Sequence, residues 1–253
     1  MLKPRVIPVL LLRNQGLVKT IKFDKHVYVG DPINAIKIFN EKEVDELIFL
    51  DIDASKNGIE PNYSMISQIA TECFMPVCYG GGIKDIETIR KILKLGIEKI
   101  AINSSALKSL DFVKNAVVTF GSSTIVVSID VKKNLLGKHQ IFDHKNKKII
   151  NNDLFEYINE MEQCGVGELL INSVDKDGTM TGYDISLIEK ITKQVKIPVI
   201  ACGGASSFSD FKTAINFAKA SAVGAGSIFV FHGKHKAVLI TYPNAEELKI
   251  LIH

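Results

Sequence analysis

The sequence has no C-x-x-C pair, no apolar run of membrane-spanning length and no large excess of charge of either sign. Each absence removes a class of function. Cys73, Cys78, Cys164 and Cys202 sit in apolar contexts without ligand spacing, which favours reduced core thiols over disulfides or zinc. The longest apolar stretches, such as Val6 to Leu12, are near strand length, whereas a membrane helix needs about 20 residues. With 31 Lys and Arg against 28 Asp and Glu, the net charge of +3 is too small to argue for nucleic acid or an anionic membrane. The N-terminal Met1 to Arg5 leads directly into an apolar run without a small-residue cleavage site, so a cytoplasmic protein is expected.

Present instead are short β-rich runs alternating with segments of helical period across 253 residues, 46% of them hydrophobic. The runs are Arg5 to Leu12, Glu46 to Ile52, Met75 to Tyr79, Lys99 to Ile102, Thr124 to Ile129, Glu168 to Asn172, Ile197 to Ala201 and Ser221 to Gly224. Between them, sets such as Ile86, Ile89 and Leu93 recur at helical spacing behind an N-cap candidate, Asp85. Ile185, Ile188 and Ile191 repeat the pattern after Asp184. Strands rich in Val, Ile and Leu with little alternation imply burial on both faces. Eight such β-α units predict a closed (β/α)8 TIM barrel, with residues 1–253 as a single domain.

The two halves also resemble each other at a constant offset. Glu46 to Asp53 matches Glu168 to Asp175, and Pro76 to Gly82 matches Pro198 to Gly204; 168 minus 46 and 198 minus 76 are both 122. Asn103 to Ser105 falls on Ala225 to Ser227 at the same spacing. Two similar half-barrels are therefore expected. Matching glycine loops, Gly80 to Gly82 and Gly203 to Gly204, would face each other across the mouth, where close backbone approach and helix N-termini suit phosphate. A single loop of this kind could equally be a tight turn; the pair favours two anion sites and a phosphorylated small molecule. Asp51, Asp53, Asp130, Asp175 and Asp177 lie at strand ends, and Asp130 is the best-placed acid–base candidate. Asp51, Asp53 and Asp175 can equally serve within loops. His26, His139 and His144 fall in predicted loops, and no histidine has ligand spacing, so neither metal nor cofactor is expected. Arg5, Glu46, Lys99 and Glu168 open strands one, two, four and six and should ring the barrel floor, where a solvated seal is the simplest meaning. The Lys-rich stretch Lys132 to Lys148 is predicted to form a hairpin or loop after strand five.

Taken together, Gly30-Asp31-Pro32, Asp45 to Ile52, Gly80 to Ile83, Ser128-Ile129-Asp130, Ser173 to Thr179 and Gly182-Tyr183-Asp184 resemble the cyclase subunit of imidazole glycerol phosphate synthase over nearly the whole chain. The resemblance implies a glutaminase (HisH-like) partner on the barrel floor and ammonia passing through the barrel to the mouth. It implies an ammonia gate at Arg5, Glu46, Lys99 and Glu168, with Asp45 and Glu98 on the docking face. It further implies phosphate binding by Gly82, Asn103 and Ser104 on one side and by Asp177, Gly178, Gly204, Gly226 and Ser227 on the other. Of the family's two catalytic aspartates only Asp130 has a counterpart. Leu11 stands where the family has an acid followed shortly by a Lys, which removes a group usually worth roughly 3–5 kcal/mol of barrier. The stretch Leu10 to Thr20, with Tyr28 to Asn34, is similar to glycosyl amidation-associated paralogues of the WbuZ type. That likeness implies ammonia supply for amidation of a surface sugar, with a sugar amidotransferase as a further partner. The alternatives are a genuine cyclase (lyase) of histidine biosynthesis with its second acid at Asp51 or Asp177, and a phosphosugar-binding scaffold.

Overall fold

The computed structural model describes residues 3–233, 235–244 and 246–248. Eight parallel strands close into a barrel: β1 (Arg5–Arg13), β2 (Leu47–Asp51), β3 (Val77–Gly80), β4 (Lys99–Ile102), β5 (Ile125–Lys133), β6 (Glu168–Ser173), β7 (Val199–Cys202) and β8 (Ala222–Ala225). Each pairs with its chain neighbours, and β8 returns to β1 through Arg5 opposite Ala222 and Pro8 opposite Ala225. The expected (β/α)8 barrel is therefore what the chain forms. Among the described residues no helix is long and apolar enough to cross a membrane.

Seven helices of eight or more residues fill the connections among the described residues, and each begins where a side chain can take its free backbone N–H groups. Asp85 accepts from the N–H of Thr88 at 2.7 Å, and Asp184 from Leu187 at 3.2 Å. Such caps contribute about 1 kcal/mol apiece. The helix Ile86–Lys94 turns Thr88, Ile89 and Ile92 onto the sheet and leaves its charged residues outside. Full burial of an isoleucine contributes roughly 1.5–3 kcal/mol, so helix docking is driven by this apolar face. Truncating Ile89 to Ala would remove it and leave a cavity.

The half-barrel repeat survives in three dimensions. Strands β3 and β7 begin and end 122 positions apart, as do the helices Ile86–Lys94 and Phe208–Asn216 (208 minus 86 is 122). Large side chains such as Phe39, Phe49 and Phe211 fill the layer between sheet and helices. A second, smaller cluster lies inside the barrel and includes Ile7, Val9, Ile48, Ala101, Leu170 and Ile200. All four cysteines are free thiols; Cys78, Cys164 and Cys202 are buried, and Cys73 is half-buried at the end of its helix.

Two excursions leave the regular alternation. The connection after β1, expected as a loop, forms two antiparallel strands, Gly16–Ile21 and Asp24–Gly30, the first paired with the end of β1 through Leu11 opposite Val18. The Lys-rich stretch after β5 is a hairpin, with His139–Asp143 antiparallel to the end of β5 and Lys148–Ile149 beyond it. His26 and His139 consequently lie in strands, not in loops, because backbone pairing with a neighbouring strand orders these polar sequences.

Candidate functional site

At the barrel floor the four charged strand-start residues meet. Arg5 donates to Glu46 through one guanidinium nitrogen and to Glu168 Oε1 at 3.0 Å through the other. Lys99 Nζ lies 3.1 Å from both carboxylate oxygens of Glu46 and 3.0 Å from Glu168 Oε1. Two cations and two carboxylates thus form a closed, neutral ring at the lower end of the inner apolar cluster. Burial works against the charge on Arg5, but Glu168 and Glu46 outweigh it and raise its pKa further. Beside the ring, Glu98 accepts from the N–H of Val77 at 2.8 Å, and Asp45 pairs with Lys3 at 3.7 Å.

At the opposite end the strand termini surround a cavity of about 530 Å³. Asp130, on β5, is 5% exposed, and its Oδ2 takes two donors: Asn103 Nδ2 at 3.0 Å and His144 Nδ1 at 3.0 Å. Burial lowers the pKa of His144, but the hydrogen bond and charge of Asp130 overcome this and raise it, favouring the imidazolium. Leu11 lines the same cavity, so the strand-one position presents an apolar side chain to it.

Seven of the eight phosphate-site candidates fall into two groups across the cavity. Asn103 and Ser104 extend from β4; Asn103 Oδ1 and Ser104 Oγ are buried and lack a hydrogen-bond partner among the described residues. Gly178, Gly204, Gly226 and Ser227 come from the loops after β6, β7 and β8, with Ser227 opening a short 3-10 helix as phosphate loops in such barrels often do. Gly82 stands apart: it is not in the cavity wall, and its N–H donates to Ser55 Oγ at 3.0 Å. Asp177 also lines the cavity but is engaged elsewhere. Its Oδ2 accepts from Thr20 Oγ1 at 2.7 Å and from the N–H of Phe23 at 3.2 Å, anchoring the excursion after β1 across the mouth. Burial raises the pKa of Asp177 despite these donors and Lys19. Gly178 makes that anchorage possible, since with φ at +65° its absent Cβ would fall 1.9 Å from Thr20 O.

The remaining aspartates have local partners. Asp51 accepts from the N–H groups of Asp53 and Ala54, Asp53 pairs with Arg13 Nε at 2.9 Å, and Asp175 accepts from the N–H of Lys133 at 2.8 Å.

Two cavity residues, Lys19 and His144, are absent from the sequence-based candidates. Lys19 is buried, donates from Nζ to Val9 O at 2.7 Å and lies directly against Gly226; burial lowers its pKa to about 8. An ammonium group beside Gly226 adds positive charge to the second anion-suited loop group. The signal for His144 is the turn at Asn134 and Gly137, which sets the register Val131 opposite Ile141 and so carries His144 back toward Asp130.

Fold and cavity together define a (β/α)8 barrel whose site lies at the carboxyl ends of its strands, the functional face of this architecture. The chain belongs to the histidine biosynthesis protein family, whose profile matches residues 5–236. A Pseudomonas aeruginosa protein named "putative imidazole glycerol phosphate synthase subunit hisF2" is 52% identical over 250 residues, covering 99% of this chain and 100% of its own. A Leptospira borgpetersenii protein named "putative imidazole glycerol phosphate synthase subunit HisF" is 48% identical over 252 residues, 99% of each chain. A Campylobacter jejuni hisF2 protein of the same description is 44% identical over 232 residues, 92% of this chain and 91% of its own.

Proposed function

We propose that this chain is the HisF-like subunit of a glutamine-dependent amidotransferase complex, a single-domain barrel that receives ammonia from a HisH-like glutaminase and delivers it at the mouth. Ammonia enters through the ring of Arg5, Glu46, Lys99 and Glu168 and crosses the barrel interior. The phosphorylated ligand is held between Asn103 and Ser104 on one side and Gly178, Gly204, Gly226 and Ser227 on the other, with Lys19 beside the second group. The acceptor chemistry is amidation of a surface sugar, with a sugar amidotransferase as the further partner, and the complex works in the cytoplasm.

The observation that carries this reading is the combination of a complete charged ring at the floor with Leu11 in the mouth. Leucine can neither take nor give a proton, so the two-aspartate cyclisation lacks one of its groups while the entry for ammonia is kept. What favours this reading over a second acid at Asp51 or Asp177 is that one oxygen of each is already taken, Asp51 Oδ1 by the N–H groups of Asp53 and Ala54 and Asp177 Oδ2 by Thr20 Oγ1 and the N–H of Phe23. The test is to give purified protein the ribulosyl substrate of imidazole glycerol phosphate synthase with ammonium salts. Absence of cyclisation supports the reading; turnover at the rate of a histidine-pathway cyclase, abolished by Asp130→Asn, would overturn it in favour of a genuine cyclase.

A further inference from the structure

His144 is a buried-edge histidine whose Nδ1 is held by Asp130, whose ring lines the mouth cavity, and whose Nε2 has no hydrogen-bond partner among the described residues. We infer that His144, oriented by Asp130, is the proton-transfer residue for addition of ammonia to a carbonyl carbon of the ligand in this cavity. The inference rests on the proposed delivery of ammonia to the mouth and adds the residue that would act there.

Three observations converge on it. Asp130 accepts from both His144 and Asn103 on the same oxygen, which fixes the carboxylate and, through it, the imidazole tautomer with Nδ1–H directed at Asp130. The His144 side chain keeps 25% of its surface open while Asp130 keeps 7%, so a ligand can reach the imidazole and much less of the carboxylate. Leu11 lines the same cavity, so strand one supplies no acid or base there, and two other carboxylates of the wall, Asp51 and Asp177, are held by backbone N–H groups or by the Thr20 anchor. The charged neighbours facing His144 are Asp130 and Asp143, which favour the imidazolium, and Lys145, which opposes it.

The step balances. The nitrogen lone pair of ammonia forms the N–C bond, the carbonyl π pair moves onto oxygen, and that oxygen takes the Nε2 proton of the His144 imidazolium. Neutral Nε2 then accepts one proton from the added nitrogen. A carbinolamine results, and the dyad returns to its starting state. Asp130 stays a carboxylate throughout and acts as a positioning residue.

Ribulose 1,5-bisphosphate, a ketose with a phosphate at each end, serves as probe. Its carbonyl oxygen exchanges with ¹⁸O-labelled water when the carbinolamine goes on to lose its hydroxyl as water, the His144 imidazolium giving the proton and the nitrogen lone pair forming the C=N bond. Labelled water then adds back to the iminium, with neutral Nε2 taking its proton. Mass spectrometry follows the exchange with and without ammonium chloride while calorimetry measures binding. The wild-type protein should accelerate the ammonium-dependent exchange. His144→Gln should reduce that acceleration by about 10²-fold or more, the usual worth of a general acid–base group, with probe affinity within about twofold of wild type. Asp130→Asn should move the histidine limb of the pH profile to lower pH. Bound probe whose exchange is indifferent to His144 would overturn the inference and leave the delivery reading standing. Failure to bind the probe would overturn the phosphorylated-ligand reading of the mouth, and the inference with it.

Discussion

Replacing Lys99 with Met tests the charged ring at its most connected member. Lys99 Nζ sits within 3.1 Å of Glu46 and 3.0 Å of Glu168, and the side chain of Glu46 is only 3% exposed. Without Lys99, Arg5 alone would balance two carboxylates. Breaking a buried pair by removing one partner costs about 3–5 kcal/mol. The lower end applies here, because Lys99 is itself partly solvated and a methionine fills the space of its stem, so a loss of about 3 kcal/mol is expected at pH 8. Burial already holds the Glu46 carboxyl above its ordinary value against the pull of Lys99 and Arg5, and losing Lys99 would raise it further above the unfolded value of about 4.3. The folded variant then binds more protons than the unfolded chain, so its stability falls as pH rises, and the deficit at pH 5 should be smaller than at pH 8. Urea denaturation of both proteins at the two pH values measures this. The double variant E46Q/K99M, in which Arg5 and Glu168 still pair, should recover part of the loss. A deficit under about 0.5 kcal/mol at pH 8, or one independent of pH, would refute the description of the ring as a mutually compensating, desolvated set.

Other consequences are more local. Leu11→Asp should restore at most weak cyclisation of the ribulosyl substrate in an ammonium-dependent assay, because the excursion after β1 still crosses the mouth and is anchored at Asp177. Gly178→Ala should destabilise by at least about 2 kcal/mol in denaturant melts and expose residues 16–30 to proteolysis, since the added methyl meets Thr20 O. Asp184→Ala should cost about 3 kcal/mol at pH 7, for Asp184 caps its helix and binds both His139 and Lys133. Despite burial, which acts in the opposite direction, these partners hold the Asp184 pKa well below the ordinary carboxylate range. Its stabilisation is therefore fully present above about pH 4 and lost as pH falls toward the folded-state value, a limb that the alanine variant should lack in acid titrations of stability.

The eight barrel strands are legible in the sequence because each is a short apolar run buried on both faces, and β3, β7 and their following helices even keep the repeat offset read from Pro76 and Pro198. The ring is legible for a different reason: charged residues at strand starts have few places to go but the floor. The strands Gly16–Ile21 and Asp24–Gly30 are much less visible, since Lys22, Asp24, Lys25 and His26 dilute any alternation and their order comes from backbone pairing with β1. Asp130 stands out as an acid at a strand end, but its partner does not. His144 reaches it only through the register of the hairpin after β5, a one-residue slip of which would turn the imidazole away from the cavity. Lys19 is hidden in the same manner, a cation carried into a buried site by a strand whose pairing lies outside the sequence pattern.

The central claim is that a glutaminase docks at the floor and its ammonia enters through the ring. The most direct measurement is glutamine hydrolysis by a HisH-like glutaminase, assayed alone and with stoichiometric amounts of the barrel. The account predicts a one-to-one complex and clear stimulation of hydrolysis when the barrel is present. Unchanged hydrolysis with no complex formed would contradict it and leave the barrel as a phosphosugar-binding scaffold.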